Sequence, residues 1–298
     1  MARPASAGHR LRELLARPQV LVVPGAFDAL SAKLAEQVGF DAAYMTGAGT
    51  VNALAGLPDI GLLSVTEMAL NAAYIASAVR IPVFADADTG YGNALNVMRT
   101  VKAYEQAGLA GLHIEDQVSP KRCGHVAGKE CVPLDEMAGK IRAAVAARSD
   151  PEFVIIARTD SRAPLGFDEA VKRGRAYAEA GADIIFPEAL QTKDEFAAYA
   201  REVRTPLLAN MTEFGKTPYL TAKEFEQLGY RIVLFAVSAM RVALKAMDAF
   251  YADLKRTGTQ TSWLDRMMTR DELYDLIGYA RYTEYEREFL GEGHDPLG

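Results

Sequence analysis

The chain is poor in the residues that build disulfide scaffolds and metal cages, with two cysteines, four histidines and one tryptophan among 298 residues. Cys123 and Cys131 lie eight residues apart and form no CxxC pair. Neither a disulfide framework nor a structural zinc site is expected. Positive charge is also short: 33 Lys and Arg stand against 39 Asp and Glu, for a net charge of −6. That balance argues against a nucleic-acid partner, which calls for a basic field, although a few converging arginines can still bind an anion locally. No apolar run reaches the roughly 20 residues needed to cross a bilayer, so no membrane partner is expected. The opening stretch MARPASAGHRLRELLARPQ has no long apolar core and does not read as a signal peptide. A cytoplasmic protein is the expectation.

What the chain has is hydrophobic mass, 50% of residues, arranged in a repeating order. Short β-rich runs, VLVVPGAF, AAYMTG, PVFADAD, GLHIED, FVIIARTD, DIIFPEA, PLLANMT and RIVLFAVS, alternate with helix-patterned segments such as ALNVMRTVKAYEQAG and GFDEAVKRGRAYAEAG. Several of these helical segments end in glycine, a common helix stop. Eight strand–helix units with continuously apolar strands predict a parallel sheet closed into a (β/α)8 barrel, one α/β domain over residues 1–298. From about 242 to 298 the pattern stays helical for longer than one closing helix needs. The surplus suggests packing against another subunit.

Most of the strand runs finish in polar residues, and barrel enzymes gather their chemistry at that rim. In DADTGYGN, Asp86 and Asp88 alternate across Ala87, which predicts both carboxylates on one strand face. Glu115 closes the next run. Three hard oxygens without a histidine cluster suit Mg2+, or Mn2+, rather than zinc; capping or ion pairing is the plain alternative. The glycines of GYGN fit neither spacing of a nucleotide-binding loop. Arg158, placed by VIIARTD inside the barrel mouth, can grip a carboxylate through two parallel hydrogen bonds. Glu188, Asn210 and Thr212 end the following strands, and Arg241 and Arg270 are further anion-binding candidates. Cys123 sits in SPKRCGHVAGKEC beside Lys121, Arg122 and His125, cations expected to lower the thiol pKa toward neutrality and to make it an acid–base candidate. Tyr44 is the candidate base, and Asp59, in GLPD, supports the metal site or orders a turn. Cys131 reads as structural.

Taken together, KRCGH, DADTGYGN, GLHIEDQ and NMTEFGKTP resemble the isocitrate lyase and phosphoenolpyruvate mutase superfamily, in the same order and over nearly the whole chain. NMTEFGKTP and TRDELYDLI look most like 2-methylisocitrate lyases, which cleave 2-methylisocitrate to pyruvate and succinate with Mg2+. The resemblance implies that Thr46, Gly47 and Ala48 cradle the pyruvate-like end of the substrate. Asp86 and Asp88 would hold the metal, with Glu115 acting through water. Cys123 and Gly124 would lie on an active-site loop, and Arg158, Glu188, Asn210, Thr212, Arg241 and Arg270 would contact a di- or tricarboxylate. The implied chemistry is a retro-aldol type cleavage with Cys123 as general acid. The implied assembly is a homotetramer with the last helix exchanged between subunits. The usual SGGG turn reads TGAG here, closer to relatives acting on 2,3-dimethylmalate or oxaloacetate. A barrel that only binds carboxylates is the alternative from another class.

Overall fold

The computed structural model describes residues 5–122, 124 and 128–291. Eight parallel strands run through it: β1 Leu21–Ala26, β2 Ala43–Met45, β3 Val83–Asp86, β4 Gly111–Glu115, β5 Val154–Thr159, β6 Ile184–Pro187, β7 Leu208–Asn210 and β8 Ile232–Phe235. The hydrogen-bonded order is β6-β5-β4-β3-β2-β1-β8-β7. A parallel bridge between Ile185 and Leu207, with Ile185 N–H donating to the Pro206 carbonyl at 2.9 Å, joins the two ends and nearly closes the ring. The expected α/β barrel is therefore present.

The helices are α1 Ala7–Ala16, α2 Ala29–Val38, α3 Gly47–Ala55, α4 Val65–Ala78, α5 Ala94–Gln106, α6 Leu134–Ala147 and the single turn α7 Arg162–Leu165. They continue as α8 Phe167–Glu179, α9 Lys193–Glu202, α10 Ala222–Gln227, α11 Ser238–Thr257, α12 Arg270–Ile277 and α13 Tyr279–Leu290. Side-chain caps start many of them. Asp28, Ser64, Thr221 and Thr269 each accept from a backbone N–H of the first turn, within reciprocal capping boxes.

Strand parity sorts the core into two layers. Val23, Tyr44, Phe84, Ile156, Phe186 and Leu234 pack on one face and fill the barrel. Their alternates, among them Met45, Ala85, Leu112, Ile155 and Ala209, pack against helix residues such as Val101, Met137 and Tyr177. Leu11 and Leu14 of α1 join the barrel-filling layer, so this helix closes one end of it. Arg12 fixes α1 there by donating to the Glu152 carbonyl at 2.9 Å and to Asp183 at 2.8 Å. Helix α1 is thus part of the fold.

The chain divides into two compact units, Met1–Met240 with the barrel and Arg241–Gly298 with the helical remainder. In the second unit Phe250 packs edge-on against Trp263, and the Trp263 indole N–H donates to Asp253 at 3.0 Å. No helix of the described residues is long and apolar enough to cross a membrane.

Candidate active site

Four adjacent strands, β3 to β6, bring charge to the far rim of the barrel. Asp86 ends β3, with its backbone carbonyl taking the Tyr104 hydroxyl at 2.9 Å. The strand stops there: Asp88 has φ of 45°, in the left-handed region, so the two carboxylates are not placed by strand alternation as the sequence spacing predicts. The turn folds the chain back instead, and Asp88 N–H donates to Asp86 Oδ1 at 2.9 Å. Both side chains are buried. Gly47, first residue of α3, sits against Asp86 so closely that a Cβ there would overlap Oδ2. Glycine is therefore required for α3 to approach this carboxylate, and Thr46 caps the same turn by accepting from Gly49 N–H at 3.2 Å.

Glu115 of β4 lies in register with Arg158 of β5. The guanidinium holds Asp160 through Nε at 2.8 Å and Nη2 at 3.1 Å, and lies 3.3 Å from both Glu115 and Glu188. It also stands over the Phe186 ring, 5.1 Å from the centroid. Burial alone would disfavour its charge; three carboxylates outweigh that and raise its pKa. Asn210 of β7 donates to Glu188 at 3.2 Å. Gly124 packs onto this group, since a Cβ at that position would overlap Arg158 Nη2 and Glu188 Cγ. Cys123 and His125 lie outside the described residues. The residue next to the thiol is nonetheless seated on Arg158 and Glu188.

Several expectations change. Lys121 was read as a cation that activates the thiol; its ammonium pairs instead with Asp59 and with Asp88, the latter at 2.9 Å. Two carboxylates neutralise it, so its field at a neighbouring thiol is largely offset. Asp59 is accordingly a partner of Lys121. Tyr44 is no base. Burial first, and the Asp86 charge second, hold its phenol well above the usual range, and its hydroxyl hydrogen-bonds His113 Nε2 at 2.8 Å. Asp86, Asp88 and Glu115 do not form a three-ligand cluster: among the described residues no group of three His, Cys, Asp or Glu side chains is arranged to hold an ion. The chain's own cations explain this, as Lys121 takes Asp88 and Arg158 takes Glu115. Thr212 lies two residues beyond the end of β7. Arg241 and Arg270 belong to the second unit, where Arg270 opens α12. Cys131 forms an antiparallel bridge with Gln117, and burial, then the charges of Asp116 and Asp160, push its thiol pKa up.

The donor chemistry still suits a hard divalent cation. Both Glu115 oxygens are buried without a hydrogen-bond partner, and Asp88 Oδ1 faces the Lys121 ammonium at 2.9 Å. Desolvation raises the Glu115 pKa well above its usual value and that of Asp88 to about 6, with the Lys121 charge opposing. Around this rim the described residues gather six carboxylates, Asp59, Asp86, Asp88, Glu115, Asp160 and Glu188, against three cations, Lys121, Lys129 and Arg158. Oxygen donors with surplus negative charge fit Mg2+ or Mn2+.

Two side chains of the site, His113 and Lys129, escaped sequence reasoning, whereas Asp160 closes the FVIIARTD run as a polar rim residue. His113 is fully buried 3.6 Å from Asp86, and burial, despite that carboxylate, lowers its pKa to about 4. Asp160 shares strand parity with Arg158, as His113 does with Glu115; parity applied to GLHIED would have found His113. Lys129 lies outside the apolar runs and carries no local signal.

Comparison with known proteins fits this geometry. The family model described as phosphoenolpyruvate phosphomutase matches residues 11–255. A 2-methylisocitrate lyase of Aeropyrum pernix is 50% identical over 96% of this chain and 92% of its own. A 2,3-dimethylmalate lyase of Eubacterium barkeri is 48% identical over 94% and 97%. Among solved structures, phosphonopyruvate hydrolase in complex with oxalate and Mg++ superposes with a TM-score of 0.87 at 35% identity, covering 96% of this chain and all of that one (100%). The buried arginine among carboxylates at a barrel rim, and these identities over nearly the whole length, place the chain in the phosphoenolpyruvate mutase and isocitrate lyase superfamily, as a carbon–carbon lyase.

Proposed function

We propose that this enzyme is a Mg2+-dependent lyase that cleaves 2-methylisocitrate to pyruvate and succinate by a retro-aldol type reaction. The observation that carries the reading is the seating of Gly124, neighbour of the KRCGH thiol, on Arg158 and Glu188 beside the two aspartates. It brings the residue that follows the thiol in the chain together with the anion-binding arginine and its carboxylate partner. The 2-methylisocitrate lyase of Aeropyrum pernix, half identical to this chain, supports the substrate. Asp86 and Asp88, with Glu115 behind them, would hold the ion. When bound, Mg2+ supplies Lewis-acid stabilisation to the substrate oxygen that becomes the ketone. Thr46, Gly47 and Ala48, at the N-terminal turn of α3, cradle the pyruvate end. Arg158 and Asn210 bind substrate carboxylate, with Thr212, Arg241 and Arg270 completing the set that the family resemblance implies.

In the reaction the C–C bond breaks and its electron pair stays on the carbon that becomes part of succinate. The substrate hydroxyl gives its proton to solvent water and becomes the carbonyl of pyruvate. Arg158 stabilises the aci-carboxylate that develops beside the carbanion. The Cys123 thiol delivers its proton to carbon, and the thiolate takes one back from solvent, which balances the proton released by the hydroxyl. Tyr44 keeps its proton throughout.

A second reading rests on Ala48. Its methyl group, half-buried in the first turn of α3 beside Gly47, narrows the cradle and favours a smaller diacid, 2,3-dimethylmalate or oxaloacetate. The deciding experiment assays a panel of di- and tricarboxylates for pyruvate or oxalate release, with Mg2+ present and then chelated. The expected result is metal-dependent pyruvate release with 2-methylisocitrate preferred. A strong preference for a dicarboxylate overturns the first reading in favour of the second. We further propose a cytoplasmic homotetramer. Residues of the second unit such as Val242, Met247 and Tyr251, exposed in the single chain, support packing on another copy.

A further inference from the structure

We infer that Lys129 is a positioning residue, a buried strut that ties the cysteine-bearing segment to the substrate-binding arginine. The inference rests on the lyase reading and deepens it. Lys129 is buried, and its ammonium makes two bonds of different kinds. One goes to the backbone carbonyl of Gly124, the residue that follows Cys123. The other goes to Asp160 Oδ1 at 2.8 Å, the same oxygen that accepts from Arg158 Nη2. Asp160 is itself fixed from behind. Its N–H donates to Asp116 Oδ1 at 2.8 Å, while Asp116 Oδ2 accepts from the Thr159 hydroxyl, the Arg173 guanidinium and the Tyr177 hydroxyl at 2.8, 3.0 and 2.8 Å.

The path therefore runs from an anchor formed by Asp116, just past β4, with Arg173 and Tyr177 of α8, through Asp160, to two ends at once, the guanidinium and the Gly124 carbonyl. A lysine needed only to balance the Asp160 charge would not have to reach the loop, because Arg158 already supplies two hydrogen bonds to that carboxylate. The bond to the Gly124 carbonyl is what charge balance leaves unexplained. It fixes the peptide beside the thiol relative to the group that binds the substrate's carboxylate. Holding a proton donor at a set distance from the carbon it protonates changes the rate of the chemical step more than it changes substrate binding.

The test compares Lys129→Met, Lys129→Arg and the double variant Lys129→Met with Asp160→Asn. Two readouts are taken: steady-state turnover of 2-methylisocitrate, and the rate of iodoacetamide alkylation at Cys123 followed by peptide mass spectrometry. Lys129→Met is expected to lower kcat about thirty-fold with KM within about threefold of wild type. Alkylation of Cys123 is expected to change about fivefold or more. Lys129→Arg, which keeps charge and donors, is expected to recover most of both. The double variant removes both members of the buried charge pair and tests the strut if the single variant does not fold. A charge-balancing lysine predicts wild-type alkylation in the double variant; a strut predicts that the altered rate persists. Wild-type kcat and alkylation in folded Lys129→Met, or wild-type alkylation in the double variant, overturn the inference. If the wild-type protein turns over no acid of the panel, the lyase reading fails, and the alkylation arm still decides the strut.

Discussion

The two ends of the barrel are built on opposite principles. At one end α1 lays Leu11 and Leu14 onto the barrel-filling layer, and the charges there, Arg12 with Asp183, are partly exposed and paired outside the apolar contact. At the other end six carboxylates and three cations are crowded together, most of them buried, with both Glu115 oxygens lacking a hydrogen-bond partner. The first arrangement gains stability from area removed from water. The second spends part of that gain on desolvating charge. Stability and chemistry have been separated along the strand direction of a single sheet, which lets one end be altered without the other.

The largest expected effect is at the charged end. Asp86→Asn should lower kcat by about 1000-fold or more, because it removes a carboxylate from the site that the reaction's charge depends on. Circular dichroism should show the fold retained. A variant with near-normal turnover would remove Asp86 from the site. Breaking the apolar end should do the reverse. Leu11→Ala is expected to cost about 3 kcal/mol in urea unfolding, for a fully buried leucine that leaves a cavity, with kcat of the folded enzyme unchanged. A large loss of kcat in that variant would mean that the two ends are coupled.

Tyr44→Phe sharpens the comparison, because Tyr44 stands where the apolar filling meets the charged rim. It removes the hydroxyl bonded to His113 but not a base, so kcat should stay within about tenfold of wild type; loss of a true general base costs about 100- to 10,000-fold. The smallest effect concerns the two thiols. Burial and the charges of Asp116 and Asp160 raise the Cys131 pKa, so Cys131 stays a neutral thiol as pH rises through 8 and should alkylate slowly there, accelerating only in stronger base. Cys123, flanked by Arg122, should react first. Mass spectrometry of peptides alkylated across a pH series would show the order, and faster labelling of Cys131 would contradict it.

Much of this was legible without coordinates, for particular reasons. The eight apolar runs read as strands because a barrel strand covered on both faces must be apolar throughout, apart from its rim residues. Arg158, Glu188 and Asn210 were read as rim residues because each ends an apolar run, and the structure brings the three together. Parity failed where the strand stopped early, at Asp88, whose left-handed turn replaces alternation with a folded-back contact. At Tyr44 the residue type suggests a base, whereas burial favours retention of its proton, which no local pattern records.

The order of strands and helices, the barrel they imply, and the residue types at its rim were decided by the sequence, since hydrophobic period and strand parity are local properties of the chain. Which charges face which was decided only in three dimensions. Lys121 could pair with Asp59 and Asp88, 62 and 33 residues away in the chain, and Lys129 with Asp160, only because closing the sheet brings the ends of separate strands to one rim. Electrostatic partnership depends on distance and burial, and both arise when the ring closes.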